Sequence, residues 1–437
     1  MMQKEIKFKK DNVLMIRNYC RFGLSNWEKT VGLFFLLLSL FSLFSCAGPS
    51  EKSSAATPNF GTGSFGYDLN FLRQHDSVIL LQTDDTLAQV VVSPKYQGKV
   101  FTSTASGAFG QSFGWINYKA FSAPLDSHMN AYGGENRLWL GPEGGRFSLF
   151  FPKDAEMAFD NWKTPAPIDT EPWTVVNKNG SSVQMQKDMQ LTNYAGTEFQ
   201  LQVKRTVSIM TNSAIQAIID LPFDTALKAV GYETNNTLTN TGKNEWTSAT
   251  GAPCIWILDM FNPSPETTIV IPYEESGSGP VATTNYFGAI PPDRIRWANG
   301  VLFFKADGRQ RGKLGIAPQR AKRVAGSYDA AANVLTLTFF DLDKSGQYLN
   351  QEWSTAKPPY SGDAVNAYND GPLADGKQMG PFYEIESVSP AAFLKPASSL
   401  THHHTVLHFT GKKEMLNQLA EKQLGVTLTA IQGALAK

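Results

Sequence analysis

The sequence predicts an all-β chain of large, mainly antiparallel sheets packed face to face, with a few short helices that include the C-terminus. Three observations lead there. Apolar or alternating runs recur between residues 77 and 410, the period-two signature of strands with one buried face. Clusters of Gly, Pro, Asn and Asp punctuate them, as tight turns require. Charged residues make up only 18% of the chain and aromatics 12%; roughly 25% charged is ordinary for globular proteins, so the mix suits a β-rich chain with long ordered loops.

The first element is the apolar run at 31–46, which stops at Leu43-Phe44-Ser45-Cys46. It is shorter than the roughly 20 apolar residues of a membrane span. It follows Arg17, Arg21 and Lys29, as the h-region of a signal segment does. The run resembles the lipobox of bacterial lipoprotein signal peptides. That resemblance implies a signal peptide over 1–45, an acylated Cys46 at the mature N-terminus, and a membrane partner reached through the lipid anchor. The localisation it implies is the cell envelope, periplasmic or surface-exposed; the other reading is an uncleaved single-span anchor. Residues 46–62, rich in Ser, Ala, Pro, Gly and Thr, read as a flexible tether. Residues 63–437 show no linker-like shift in composition and read as one domain.

Within that domain a short helix is predicted over 66–75. Strands are predicted over 77–83, 87–92, 99–104, 146–151, 182–190, 197–210, 229–240, 253–260, 266–272, 300–306, 333–341, 382–389 and 404–410. Asn177-Lys178-Asn179-Gly180 and Asp307-Gly308 are hairpin signals, because Asn and Gly accept positive φ readily. At the C-terminus Met415, Leu416, Leu419 and Leu424 fall near one helical face, with Gly425 placed as its cap. No fixed-period repeat is visible, which argues against a propeller or solenoid. So many strands over this length require large sheets packed against one another.

Composition also bounds function. Lys plus Arg and Asp plus Glu are each 39, so no charge excess points to nucleic acid. Beyond Cys20 and Cys46 only Cys254 remains, so the mature chain has no internal disulfide. It lies in the apolar run Ala-Pro-Cys-Ile-Trp-Ile-Leu and reads as core packing.

Five segments carry candidate chemistry. In Tyr132-Gly133-Gly134-Glu135-Asn136-Arg137-Leu138-Trp139-Leu140-Gly141-Pro142-Glu143-Gly144-Gly145, paired glycines flank a charged and aromatic core. Arg137 offers a donor fork, Glu135 and Glu143 offer acceptors, and Trp139 offers a face for a sugar ring. The alternative is an Arg–Glu pair bracing a turn beside a core Trp. In Phe382-Tyr383-Glu384-Ile385-Glu386-Ser387, a strand puts Glu384 and Glu386 on one face. Two close carboxyls repel, which raises one pKa and makes a general acid or base; the alternative is a solvated polar strand.

The third segment, 361–372, gathers Asp363, Asn366, Asn369 and Asp370. It reads as a turn, as a loop that sets Asn366 and Asp370 against sugar hydroxyls, or as a Ca²⁺ loop through Asp363 and Asp370. The fourth puts His402, His404 and His408 on one face of an edge strand, a spacing open to Zn²⁺ but lacking a nearby acidic residue; no metal site is assigned. The fifth is the basic run Lys305, Arg309, Arg311, Lys313, Arg320, Lys322 and Arg323, either a solvated face or a reception for an anionic sugar such as a uronate.

The order of Gly-Glu-Asn-Arg-Leu, the middle Thr239-Asn240 and the late Ile385-Glu386-Ser387 strand resembles the galactose mutarotase-like β-supersandwich superfamily, and within it secreted bacterial members. The resemblance implies a carbohydrate ligand, no cofactor, substrate contact by Arg137 with its neighbour Asn136, and Glu386 as base. The chain departs from the pattern after Thr239-Asn240, where Thr241-Gly242-Lys243 stands in place of the acid histidine; His128 is the substitute candidate. The expected function is a lipid-anchored carbohydrate-binding or carbohydrate-active protein with epimerase-like acid/base chemistry. The alternative is a non-catalytic protein-interaction module of the envelope.

Overall fold

The computed structural model describes residues 59–435, apart from 224, 278 and 374. The expected signal segment, Cys46 and nearly all of the tether lie outside the described residues. The described residues belong to one compact unit, Pro58–Lys437.

Its strands form three antiparallel sheets of ten, five and three strands. The ten-stranded sheet has at its centre Val334–Phe340, Ser399–Gly411, Leu227–Asn240 and Glu198–Ile209, side by side. The five-stranded sheet runs Gly312–Ile316, Val365–Asn369, Tyr383–Val388, Cys254–Phe261, Arg137–Gly141. One apolar core joins these two sheets through Leu138, Ile257 and Ile385 on one side and Val203, Val230 and Val406 on the other.

The outer face of the large sheet is covered by the helices Asn212–Ile219, Lys413–Leu424 and Leu428–Gly433, whose Ile215, Leu416, Leu419 and Ile431 pack on Leu335, Leu407 and Phe409. That cover explains why Ser399–Gly411 is buried on both faces over its second half, whereas Glu198–Ile209 alternates. The C-terminal helix ends as expected: Gly425 at φ +72° donates its N–H to Glu421 O at 3.0 Å, a left-handed cap that glycine adopts at little cost. The early helix, Phe65–Arg73, is capped by Ser64, and the Asn179-Gly180 turn joins Thr174–Lys178 to Ser182–Thr192.

Several expectations are corrected. Residues 146–151 are turns rather than a strand. Asp307-Gly308 carries the chain from Val301–Lys305 in the large sheet to Gly312–Ile316 in the small one, so no hairpin forms there. The oxygen-rich segment 361–372 is mostly strand. Val365–Asn369 separates Asp363 from Asp370 by about 20 Å at ~3.3 Å per residue, so the two share no Ca²⁺ loop. Among the described residues no group of three His, Cys, Asp or Glu is disposed to hold a metal.

The histidine strand lies at the centre of the large sheet, not its edge, paired on both sides. His402, His404 and His408 point into a polar seam between the sheets, while His403 meets Asp341 at 2.8 Å on the other face. His404 joins Asp259 at 2.7 Å and Ser387 at 2.8 Å, and His402 joins Ser387 at 2.9 Å. His408 meets Glu135 at 3.0 Å.

Candidate functional site

The five-stranded sheet turns one face to the core and the other to a cavity of ≈ 850 Å³. Period two decides which residue goes where. Leu138, Ile257 and Ile385 face the core, while Arg137, Trp139, Trp256, Lys313, Tyr368 and Glu384 floor the cavity. Strand register brings these together. Arg137 stands opposite Leu258, which stands opposite Glu386, and Glu384 stands opposite Tyr368, which stands opposite Lys313.

The ion pairs cross these rows. Arg137 Nη2 reaches Glu384 Oε1 at 2.9 Å, and Lys313 Nζ reaches Glu386 Oε2 at 3.1 Å. The Trp256 indole N–H donates to the same Oε2 at 2.8 Å. The guanidinium of Arg137 lies 4.2 Å from the Trp139 ring centroid, and Lys313 Nζ 4.6 Å from that of Trp256, so each cation is also held by an aromatic face.

The two carboxyls differ. Glu386 is 0% exposed and lies beneath the cavity lining, whereas Glu384 is 4% exposed and part of it. Burial pushes the Glu384 carboxyl up to about 8; Arg137 opposes this and Glu386 adds to it. Of the two carboxyls, Glu384 is the one that lines the cavity. Glu386, the expected base, shares that face of the strand but lies off the lining, against Lys313 and Trp256. Glu143 lines the cavity, and burial raises its carboxyl against the pull of Lys313. Asp370 lines it too, raised by burial and accepting the Tyr368 hydroxyl at 2.7 Å.

The walls are aromatic. Phe159, Trp162 and Trp353 stack in a ladder with centroid spacings of 6.2 and 5.9 Å. Tyr286 and Phe287 form another part of the lining. Close backbone approach positions Trp353: a Cβ on Gly144 would sit 2.2 Å from Glu352 O, so only glycine lets the two segments touch. Trp139 lines the floor, but its ring is packed among Phe150, Trp162 and Trp256 with Arg137 over it. The open aromatic faces are Phe159 and Phe287, 58% and 37% exposed.

Of the other expected site residues His128 reaches the lining, and the rest lie elsewhere. Glu135 is sealed in the seam, accepting from Ser103 Oγ at 2.7 Å as well as meeting His408. Asn136 bonds Asp259 at 2.6 Å and accepts from the buried Arg205. Both precede the strand that turns Arg137 outward, so adjacency in sequence did not carry them to the cavity. Asn366 shares the floor's face but sits off the lining, with its amide near Tyr286 Oη and Leu314 O at 3.4 Å. His128 is at the lining, its Nδ1 2.6 Å from Trp162 O and its ring stacked on Phe159 at 4.5 Å. Thr239 and Asn240 are in the large sheet, where Asn240 holds Leu394 O. Cys254 is buried, its thiol pushed up to about 12 by burial.

Sequence reasoning missed Lys313, Trp256, Trp353 and Tyr286 as site residues. Lys313 and Arg311 stood out only within a basic run, of which they are the two members that line the cavity. The usable signal was the alternation Lys313-Leu314-Gly315-Ile316, which marks a strand with a charged residue on the face opposite its apolar one.

Residues 63–435 match the model of a family described as a family of unknown function (DUF6786). No curated protein matches the chain. Solved structures to which it is similar include the Slr1438 protein from Synechocystis sp. PCC 6803, at 13% identity and TM-score 0.47, covering 82% of this chain and 100% of that one. Another is a galactose mutarotase-like protein from Lactobacillus casei ATCC 334, at 10% identity and TM-score 0.43, covering 76% and 100%. A third is a galactose mutarotase related enzyme from Lactobacillus acidophilus, at 10% identity and TM-score 0.42, covering 76% and 97%.

Proposed function

Because this chain belongs to DUF6786, a family of unknown function, we propose its role from the cavity itself: it binds a saccharide there, and Glu384 exchanges a proton with a sugar oxygen. The observation that carries this is a carboxyl, paired with Arg137 and raised by burial, on the charged floor of an aromatic-walled cavity. Apolar ring faces accept the C–H faces of sugars, while a few convergent polar groups fix the hydroxyls. Near neutral pH Glu384 is largely protonated. Its Oε1 accepts from Arg137, which leaves the other oxygen to donate a proton to the ligand and to take one back. A general acid of this kind contributes about 10²–10⁴ in rate.

The test uses protein lacking residues 1–46 and a panel of mono- and oligosaccharides, read by tryptophan fluorescence for binding and by product analysis for turnover. At least one sugar is expected to bind and be turned over. Glu384→Gln is expected to lose turnover by at least about 10²-fold while binding stays within tenfold. A folded protein that binds no member of the panel would reject the reading. Full turnover in Glu384→Gln would reject the proton role alone.

The apolar run ending at Cys46 supports a further part of the proposal, that the protein is held to a membrane of the cell envelope by acyl chains on that cysteine. Each buried methylene contributes about 0.8 kcal/mol to such anchoring. Labelled palmitate is expected in the wild-type chain and not in Cys46→Ala; equal labelling of the two, or none in either, rejects the anchor.

A further inference from the structure

Arg311 is the one arginine of the cavity lining that meets no acceptor among the described residues. Its guanidinium lies 3.9 Å from the Phe287 ring centroid, and its buried Nε has no hydrogen-bond partner. The neighbouring charges are already committed. Glu384 is taken by Arg137 and Glu386 by Lys313. Asp370 accepts from the Tyr368 hydroxyl at 2.7 Å and the Gly380 N–H at 3.1 Å. At the rim Asp375 pairs with Lys377 at 3.1 Å. Burial raises the Glu143 carboxyl, while Lys313 and Arg311 pull it down. Arg311 is thus left as a guanidinium on the cavity lining with no carboxylate bound to it among the described residues.

From this arrangement we infer that the saccharide is acidic: the cavity takes a uronic acid unit, whose carboxylate sits on Arg311. The inference rests on the saccharide reading above and deepens it. Phe287 lies against the guanidinium at 3.9 Å, and the guanidinium's N–H edges meet no acceptor among the described residues. Those edges match a planar carboxylate with two parallel hydrogen bonds, which the point charge of a lysine does not reproduce. One unpaired guanidinium matches one carboxylate. A phosphomonoester, near −2 at neutral pH, would bring a second charge close to the carboxyls of Glu386 and Asp370. The open face of Phe287 beside Arg311 would hold the ring to which the carboxylate is attached.

The experiment is calorimetric titration of protein lacking residues 1–46 with matched ligands: galacturonate and glucuronate oligosaccharides, their neutral galactose and glucose counterparts, and a sulfated and a phosphorylated sugar. The wild type is expected to bind a uronate at least about tenfold more tightly than its neutral counterpart, the scale of one charge-assisted contact. Arg311→Gln is expected to abolish that preference while neutral-sugar affinity stays within twofold. Arg311→Lys is expected to restore only part of it. Tighter binding of the sulfated or phosphorylated sugar than of any uronate overturns the carboxylate assignment. So does a wild type that shows no uronate preference, or an Arg311→Gln variant weakened equally toward charged and neutral sugars. If neutral sugars bind without a uronate preference, this inference falls and the saccharide reading stands. If no sugar binds the folded protein, both fall.

Discussion

Arg205→Ala is expected to destabilise the protein by about 3–5 kcal/mol, the range for removing one partner from a buried charged network. Arg205 is 0% exposed, at the centre of the seam between the sheets. Its Nε donates to Gly98 O at 3.0 Å, its Nη1 to Asn236 Oδ1 at 2.8 Å, and its Nη2 to the carbonyl and the side-chain oxygen of Asn136. Alanine removes every one of these donors at once and leaves the acceptors dry, each at a desolvation cost of about 1–3 kcal/mol where nothing replaces the bond. It also removes the positive charge that faces Asp259, the residue that holds His404 and Asn136. Equilibrium urea unfolding of the two proteins, with midpoint and slope fitted separately, measures the loss. A change under about 1 kcal/mol would mean that Arg205 does not hold the seam together.

The second large effect is a pH dependence. Burial raises the Glu384 carboxyl from its ordinary 4.5 to about 8 in the folded protein. Below about 4.5 both folded and unfolded chains carry the proton. Between 4.5 and 8 the folded chain keeps it and the unfolded chain does not. Since stability falls with pH wherever the folded state binds more protons, Glu384 costs stability progressively across that window, by at most about 1.4 kcal/mol per pH unit. Above pH 8 the cost is constant. Other groups titrate in the same range; Asp363, for one, is pushed up to about 6 by burial. The measurement is therefore the difference between wild type and Glu384→Gln. Glutamine keeps an oxygen for Arg137 and has no proton to lose. The variant is expected to match the wild type near pH 5 and to exceed it increasingly toward pH 8. A difference curve flat from pH 5 to 8 would show that the carboxyl titrates at its ordinary value.

The same residues show how far a sequence can be read. Glu384 and Glu386 were placed on one face by strand periodicity, and the coordinates agree. Nothing in that periodicity says which of the two is covered, because the cover consists of Lys313 and Trp256 from two other strands. The Val365–Asn369 strand was read as a loop because Asn, Asp and Gly are turn residues. It is a strand because partners on both sides complete its backbone hydrogen bonds, and its polar side chains then face the cavity or the seam between elements. Arg137–Gly141 was hidden in the same way by its flanking glycines, although Arg-Leu-Trp-Leu already carried the alternation. The histidine strand shows the converse error. Its period was right and its place in the sheet was wrong, because edge or centre depends on which distant segments pair with it.

Local features needed only neighbours in the chain: the alternating strands, the Asn179-Gly180 turn, the helix closed by Gly425. They follow from backbone sterics and side-chain periods of two and 3.6, which consecutive residues express on their own. The cavity is of another kind. Arg137 and Glu384 lie 247 positions apart in the chain, and Arg205 reaches across 107 positions to Gly98. Such meetings depend on register between strands far apart in sequence, where a slip of one residue turns every side chain to the opposite face. Only the packed sheets select that register, and with it which charges pair and which guanidinium is left open.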